Sequence, residues 1–344
     1  MKLTVVIPTY NEAENVPRLI SALRGALSGV DYELLFVDDD SPDGTWKIVQ
    51  EESQRDPRVR LLRRVGKRGL GSAIVEGMKA ARGEFIAVMD ADFQHPPEVL
   101  PLMLREAERG ADVVVGSRYA RGGGVRGWSS LRRIISLGAS ALAYLLLGEV
   151  RKTSDPVSGF FLLRRGLSME GVEGRGYKVL LELLVANPRA RVAEVPYVFS
   201  GRAAGESKLG AKDIAQYALQ VLSLSRSFRF ALVGASGVLV NLGSMALLLS
   251  LGLPVDFSSI VLPEPASPGT SPCTELWTFR PSSRWGFLGR YLGYHASVLL
   301  VVTEYLVMRS LYTFLSLNPL LAQLLGIAAG FAANYLLSSR SVWR

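Results

Sequence analysis

The sequence predicts an α/β protein: a globular domain on a mainly parallel sheet, followed by interfacial helices and an α-helical transmembrane module. Three observations support this prediction. Short apolar runs alternate with helical patterns over residues 3–116. Polar clusters follow the predicted strands, where sheets of this kind bind ligands. Long uncharged stretches occupy much of the chain beyond Arg229.

The alternation defines the elements in order. Each strand is predicted from a short apolar run and each helix from apolar residues at helical spacing. Because right-handed crossovers connect neighbouring parallel strands, this order predicts one sheet with ligands at its carboxyl edge. The predicted strands are residues 3–7, 32–37, 59–63, 85–89 and 112–116, and the predicted helices between them are 13–27, 46–55, 69–81 and 98–109.

Two helices are predicted at the membrane surface. Residues 131–148 are almost wholly apolar after Arg133 but too short to span, which favours a helix in the membrane interface. A buried core helix is an equal alternative. Residues 209–228 predict a second, amphipathic interface helix. The predicted division is therefore a globular domain at 1–208, this second helix, and a membrane module at 229–344.

The membrane module is predicted to contain three spanning helices and one abnormal segment. Residues 230–253 and 315–338 are uncharged and long enough to span. Residues 291–312 are the third candidate, interrupted by charges including Glu304. The proline-rich segment 254–284 cannot form an ordinary spanning helix.

Charge predicts the orientation of the module. Arginines cluster at 280–290 and 340–344, and the positive-inside rule places both clusters in the cytoplasm. If the globular domain is also cytoplasmic, an even number of membrane crossings must precede each cluster. The hydropathy pattern shows one crossing too few. The segment 254–284 is therefore a re-entrant or degenerate hairpin, or a local alteration of the sequence. The predicted location is integral to the cell membrane, with the globular domain in the cytoplasm.

Composition narrows the partners. The net charge of +8 favours anionic partners such as phosphates and the head groups of a lipid bilayer. Nucleic acid is not predicted as a partner, because the basic residues are not interleaved with exposed aromatic residues. Cys273 is the only cysteine, so no internal disulfide can form.

The most informative motif follows the fourth predicted strand. Asp90 and Asp92 stand two residues apart, so their carboxylates can point the same way. Hard divalent cations bind carboxylates together with substrate phosphates. Alone, the motif is also typical of a solvated turn that caps a helix at Pro96. With the other strand-end clusters it predicts a cation site for cleavage of a nucleotide-sugar diphosphate, with His95 as a structural neighbour.

Two further strand-end loops predict a nucleotide pocket. Residues 8–12 offer a rigid turn, an aromatic face and a carboxylate, and residues 38–40 offer carboxylates for a base or ribose. The second loop is also typical of a helix cap, in which Asp43 caps while Asp39 binds. The basic turn at 67–71 is a weaker candidate anion site before a helix.

A second group of residues predicts an anionic acceptor. Arg118 follows the fifth predicted strand, and Arg132 and Arg133 begin the predicted interface helix. The two helix arginines suit bidentate binding of a lipid phosphate, although surface arginines that reach toward head groups are an alternative. The turn at 155–161 either borders a sugar site or is only structural. The basic loop at 202–208 can close over a diphosphate and exclude water.

These motifs resemble the dolichyl-phosphate mannose synthases, which are inverting glycosyltransferases with a GT-A fold. The resemblance covers residues 1–228 closely, and the tail resembles a GtrA-like four-helix membrane module. The motifs that carry the resemblance are residues 8–12, 38–45, 90–97, 116–119, 155–161 and 205–208.

The resemblance implies transfer of mannose from GDP-mannose to dolichyl phosphate or another polyprenyl phosphate, with inversion and with Mg²⁺ or Mn²⁺ as cofactor. It also implies residue roles. The expected metal ligands are Asp90, Asp92 and Gln94; the acceptor-phosphate residues are Arg118, Arg132 and Ser136; the catalytic residues are Asp92, Arg118 and Arg132; and the nucleotide-sugar residues are Pro8, Tyr10, Glu12, Val37, Asp39, Asp40, Asp90, Arg202 and Lys208.

Two alternatives and two departures stay open at this point. A UDP-glucose-type transferase acting on the same lipid would use the same motifs. A non-catalytic lipid-glycan carrier or flippase agrees with the tail, but it would not need the metal, diphosphate and arginine sites. The chain departs from the family at 254–284, where a second spanning helix is expected, and at Ala204, where a second basic residue can occur.

Overall fold

The structure is a computed structural model, and it divides into two compact units, Met1–Leu224 and Ser225–Arg344. The predictions for Arg202, Lys208 and most of segment 254–284 lie outside the described residues, as does part of the basic turn. The described residues are 1–66, 69–174, 176, 178–200, 210–255 and 299–341.

The first unit is built on a seven-stranded sheet, accompanied by a separate two-stranded pair. The strands are β1 Leu3–Thr9, β2 Tyr32–Asp38, β3 Val59–Arg63, β4 Phe85–Val88, β5 Val113–Ser117, β6 Gly124–Val125, β7 Phe161–Arg164, β8 Val192–Pro196 and β9 Val198–Phe199. The sheet order is β3-β2-β1-β4-β7-β5-β8, and β6 pairs with β9. All pairings in the sheet are parallel except the two made by β7. The predicted mainly parallel sheet is confirmed.

Helices cover both faces of this sheet, and each face has its own apolar core. Along β1, Leu3, Val5 and Ile7 pack on one side and Val6 on the other, as the two-residue period of a strand requires. The helices of the first unit are α1 Val16–Ala26, α2 Thr45–Arg55, α3 Leu70–Ala80, α4 Leu100–Glu108, α5 Ser130–Leu146, α6 Val179–Ala186 and α7 Ala211–Leu224.

The antiparallel strand β7 shapes the carboxyl edge of the sheet. It lies between β4 and β5, and Phe161 pairs with Val88 and Val115 near the ends of those strands. Because β7 runs the opposite way, its amino end meets their carboxyl ends. The turn at 155–159 therefore lies at the edge where parallel sheets bind ligands.

The second unit is helical. Its described helices are α8 Arg226–Ser250, α9 Leu299–Leu315 and α10 Pro319–Ser341, which overlap the predicted spans 230–253, 291–312 and 315–338. Within the described residues, we find no helix that combines the length and apolarity needed to cross a membrane. The helix predicted over 209–228 is not continuous: α7 ends at Leu224, and the Ser225 hydroxyl accepts a hydrogen bond from the Phe228 amide to begin α8.

Candidate active site

The two strand-end aspartates are held in a compact turn after β4. The Asp90 amide donates to Nδ1 of His95 at 3.0 Å, and the Gln94 amide donates to the Asp92 carboxylate at 3.1 Å. Phe93 has a φ of 61°, a left-handed conformation that reverses the chain between the carboxylates and the amide side chain. The turn therefore fixes both carboxylates at the carboxyl edge.

His95 is the internal support of this turn. Its ring is buried and stacks on Phe160 with centroids 5.0 Å apart. Burial lowers the pKa of His95 to about 3, so the imidazole is neutral at physiological pH. Because Nδ1 accepts from the Asp90 amide, the single ring proton sits on Nε2. The prediction of His95 as a structural neighbour agrees with this geometry.

A cleft of about 330 Å³ opens beside the aspartates. Its walls come from the ends of β1, β2 and β4 and from the start of α3. The lining residues are Pro8, Thr9, Tyr10, Glu12, Asp39, Gly69, Leu70, Ala73, Asp90, Ala91 and Asp92. Six of the positions expected to contact a nucleotide sugar precede Asp90. Four of them, Pro8, Tyr10, Glu12 and Asp39, line this cleft.

Loop 8–12 is tied to the loop after β2 by hydrogen bonds. The Glu12 amide donates to the Thr45 hydroxyl at 2.9 Å, and the Ala13 amide donates to the Asp43 carboxylate at 3.1 Å. Asp43 also accepts from the amide of Thr45, the first residue of α2. Asp43 therefore joins the two loops, but it is not the cap expected for it, because the N-cap residue of α2 is Gly44 and no side chain caps the helix. Asp39 lines the cleft.

Asp39 is buried beside a cation that the sequence did not single out. The Asp39 carboxylate lies 3.0 Å from Nε of Arg64 and accepts from the Gly69 amide at 2.8 Å. Burial raises the pKa of Asp39, while these two contacts favour its ionised form. Arg64 in turn donates to the Ser72 hydroxyl of α3 at 2.9 Å. This network joins β2, β3 and α3 at the floor of the cleft.

A second cavity, of about 540 Å³, adjoins the other side of Asp90. Polar side chains gather at Asp90, while the walls from α5 and α7 are largely apolar. The Tyr217 hydroxyl of α7 donates to the Ala139 carbonyl of α5 at 2.7 Å and holds these two helices together. The lining residues include Gln94, His95, Arg118, Trp128, Arg132, Ser136, Lys178 and Tyr197, with Ile134, Ile135, Leu142, Ile214 and Ala218 among the apolar ones.

Arg118 is anchored by a buried ion pair. Its Nε and Nη2 donate to the two oxygens of Asp155 at 2.7 Å each, and its amide donates to the same carboxylate at 3.0 Å. Burial alone would lower the pKa of Arg118, but the bonds to Asp155 outweigh it and raise the pKa. Nε and Nη2 of Arg118, the pair of donors that could bind a phosphate in bidentate fashion, are therefore already bonded to Asp155. Arg118 contributes charge and its remaining donors to the cavity.

Lys178, at the start of α6, is a cation of this cavity that the sequence analysis missed. Burial, and then the neighbouring Arg118, lower its pKa to about 8, against the opposing effect of Asp90. A local signal was present: the lysine ends a glycine-containing loop and precedes the apolar run of α6. Only the fold shows that this loop reaches the same cavity as Arg118.

Most of the predicted site residues come together, with clear exceptions. Arg118, Arg132, Ser136 and Gln94 line the second cavity. Val37 is a fully buried core residue, so only its backbone can meet a ligand. Asp40 pairs with Arg63, whose Nε donates to it at 2.7 Å, and it is not among the residues that line the cleft.

Comparisons with known proteins agree with this architecture. Residues 4–171 match the family Glycosyl transferase family 2, and residues 229–343 match the family GtrA/DPMS, transmembrane domain. The whole chain is 40% identical over 352 aligned residues to a dolichol-phosphate mannosyltransferase of Pyrococcus furiosus, of which 99% is covered. The chain belongs to the dolichol-phosphate mannosyltransferase family. It is a glycosyltransferase, as the resemblance implied.

Another member of the dolichol-phosphate mannosyltransferase family, from Saccharomyces cerevisiae, is 35% identical over 65% of this chain and 87% of its own length. Among solved structures, glucosyl-3-phosphoglycerate synthase from Mycobacterium tuberculosis is similar with a TM-score of 0.49 and 20% identity. That similarity covers 65% of this chain and 78% of the other. Membership of the family therefore rests on the sequence relatives.

Proposed function

We propose that this protein transfers mannose from GDP-mannose to the phosphate of dolichyl phosphate or another polyprenyl phosphate, with inversion. The observation that supports this most is the shared position of Asp90, which lines both the polar cleft and the larger cavity. Two substrates bound in these two spaces would meet at one carboxylate. The names of the curated relatives favour the same reaction.

The cleft suits a nucleotide diphosphate sugar. Tyr10 offers an aromatic face for the base, and Asp39 offers a carboxylate for hydrogen bonds to base or ribose. The carboxylates of Asp90 and Asp92 lie at its end. Together with the side-chain amide oxygen of Gln94, they form a set of hard oxygen ligands that fits Mg²⁺ or Mn²⁺. The bound ion would supply Lewis-acid stabilisation of the leaving diphosphate. Arg202 and Lys208 stay predicted donor residues of the closing loop.

The larger cavity suits a lipid phosphate. Arg118, Arg132 and Lys178 supply positive charge at its polar end, and the Tyr119 hydroxyl donates to Ser136 at 2.9 Å and orients that hydroxyl. The apolar walls from α5 and α7 suit the first isoprenyl units. A phosphate needs this charge, and a prenyl chain needs these walls, so one cavity serves both parts of the acceptor.

The chemistry follows from the charges. The acceptor phosphate is already an anion at neutral pH, so no strong general base is required, unlike transfer to a hydroxyl. Its oxygen attacks the anomeric carbon while the bond from that carbon to the diphosphate breaks, which releases GDP and inverts the configuration. Arg118 and Arg132 hold the attacking group, and catalysis is positioning with charge neutralisation.

We propose further that the protein is integral to the cell membrane, with the first unit on the cytoplasmic side. The match of residues 229–343 to a transmembrane family supports this. The outward face of α5 also supports it, because Leu131, Leu137 and Leu145 are 67%, 49% and 74% exposed. A helix that buries one face and exposes large apolar residues on the other is suited to a bilayer interface.

The test is a transfer assay with the full chain in lipid, polyprenyl phosphate and Mg²⁺, supplied with labelled GDP-mannose or UDP-glucose in parallel. We expect label in the organic phase from GDP-mannose. Label from UDP-glucose alone would show that the proposed donor is wrong, while the proposed lipid phosphate acceptor would stand. Movement of a lipid-linked sugar across the bilayer without transfer from either donor would refute the enzyme assignment in favour of a carrier.

Arg132→Ala tests the acceptor site. We expect the KM for polyprenyl phosphate to rise roughly 10- to 100-fold, because a charge-assisted hydrogen bond is lost. The KM for GDP-mannose should change less than about threefold, since Arg132 lines only the larger cavity. Steady-state kinetics with each substrate varied in turn measure both constants. A larger rise in the donor KM would remove Arg132 from the acceptor site.

A further inference from the structure

One indole lies against both arginines of the larger cavity. The guanidinium carbon of Arg132 is 4.6 Å from the ring centroid of Trp128, and that of Arg118 is 5.4 Å from it. The neighbouring Ser129 caps α5 by accepting from the Arg132 amide at 3.3 Å. This cap fixes the start of α5 between Trp128 and Arg132.

Two guanidiniums that face one cavity repel each other, and the long side chain of Arg132 loses rotamer freedom when it is held. An aromatic face offsets both effects, because it attracts the cation and stacks on its plane. A stacked guanidinium keeps its in-plane N–H groups for a phosphate. The ring of Trp128 can therefore order Arg132 beside Arg118 without using the donors of Arg132 that a ligand needs.

The indole of Trp128 is supported by contacts of its ring and not by a hydrogen bond within the described residues. Nε1 is buried and has no hydrogen-bond partner in the described part of the chain. A buried donor without a partner is unfavourable, and an aliphatic side chain would avoid that. The ring itself is well supported, since Phe199 of β9 packs edge-on against it with centroids 5.4 Å apart.

We propose that Trp128 is a positioning residue of the acceptor site. Its indole holds Arg132 beside Arg118, which Asp155 anchors, at the spacing in which both contact one polyprenyl phosphate. This inference rests on the acceptor proposed above, but not on the identity of the sugar. It predicts that loss of the ring weakens acceptor binding selectively, and that another aromatic ring restores most of it.

The experiment measures binding and needs no turnover. The full chain in phosphatidylcholine nanodiscs is titrated with a radiolabelled polyprenyl phosphate, and separately with GDP and Mn²⁺. Trp128→Leu is expected to raise the Kd for polyprenyl phosphate about tenfold, and Trp128→Phe about threefold or less. The Kd for GDP should stay within about twofold in both variants, which a general loss of structure would not allow.

Trp46→Leu is the matched control. Trp46 also packs on an arginine, with the guanidinium carbon of Arg63 3.6 Å from its ring centroid, and it is not among the residues lining the larger cavity. Its replacement should leave the Kd for polyprenyl phosphate unchanged. An equal loss in Trp46→Leu and Trp128→Leu would overturn the proposal.

Other outcomes are also decisive. An unchanged Kd for polyprenyl phosphate in Trp128→Leu would refute the inference, as would an equal loss of GDP binding. If Trp128→Leu does not fold, a double-mutant cycle of Trp128→Phe with Arg132→Ala decides: non-additive losses support the inference and additive losses refute it. Absence of transfer from any donor, with acceptor binding that still depends on Trp128, would refute the reaction and keep this role.

Discussion

Replacement of Asp92 by alanine is expected to abolish transfer, with a loss in kcat of about three orders of magnitude or more. Asp92 lines the cleft proposed for the donor, and its carboxylate accepts a hydrogen bond from the backbone amide of Gln94 at 3.1 Å. Removal of its carboxylate leaves the proposed cation with too few protein oxygens, and the leaving diphosphate then departs without compensation of its charge. Rates with saturating substrates measure the effect.

Metal removal should mimic this change. We expect EDTA to stop transfer by the native protein and added Mg²⁺ or Mn²⁺ to restore it, whereas Asp92→Ala should remain inactive with either ion. Asp31→Ala is the control, because within the described residues its carboxylate forms one exposed ion pair, with the amino terminus, and such pairs contribute little. Activity of Asp92→Ala within about tenfold of the native protein would remove the metal assignment.

Loss of the Asp155 carboxylate is expected to damage both stability and activity. Asp155 is fully buried and binds Arg118 through both oxygens. In Asp155→Ala the guanidinium stays buried without its partner, which costs about 3–5 kcal/mol in comparable pairs. For a unit of this size we expect the Tm to fall by roughly 10 °C. Thermal unfolding of the purified full chain, followed by near-ultraviolet circular dichroism, measures the change.

A double variant separates the two effects. Arg118→Met with Asp155→Leu replaces the pair by apolar side chains of similar size, and such replacements are often neutral or stabilising. We therefore expect the Tm to recover while transfer stays lost, because the cavity has lost the positive charge of Arg118. Full activity in the double variant would show that Arg118 only supports the fold. A normal Tm in Asp155→Ala would contradict the importance assigned to the pair.

The order of strands and helices could be predicted from the sequence because burial leaves a local pattern. The run at 85–89 is apolar on both faces, as a central strand must be, and it forms β4. The place of β7 could not be predicted in this way. Nothing local in residues 161–164 states that the strand enters antiparallel between β4 and β5, since that position follows from pairing across the whole sheet.

The site was predictable where spacing alone brings groups together, as for Asp90 and Asp92. The site was not predictable where a side chain has more than one possible partner. Asp40 adopts a φ of 57° and pairs with Arg63, while Asp39 faces the cleft. The commitment of Arg118 to Asp155 depends on a turn 37 residues away along the chain. Trp128 gave no signal in the sequence, because an isolated tryptophan before a helix is common in structural roles.

The sharing of Asp90 has a consequence for how such a protein diverges. Among the described residues, those that line the cleft all lie at or before Asp92 in the sequence. Those that line the larger cavity all lie at or after Asp90. If the cleft binds the nucleotide and the larger cavity binds the lipid, as proposed, the described lining residues for the two ligands lie on consecutive lengths of chain that meet at one short turn. Recombination near that turn could exchange one preference and leave the other intact.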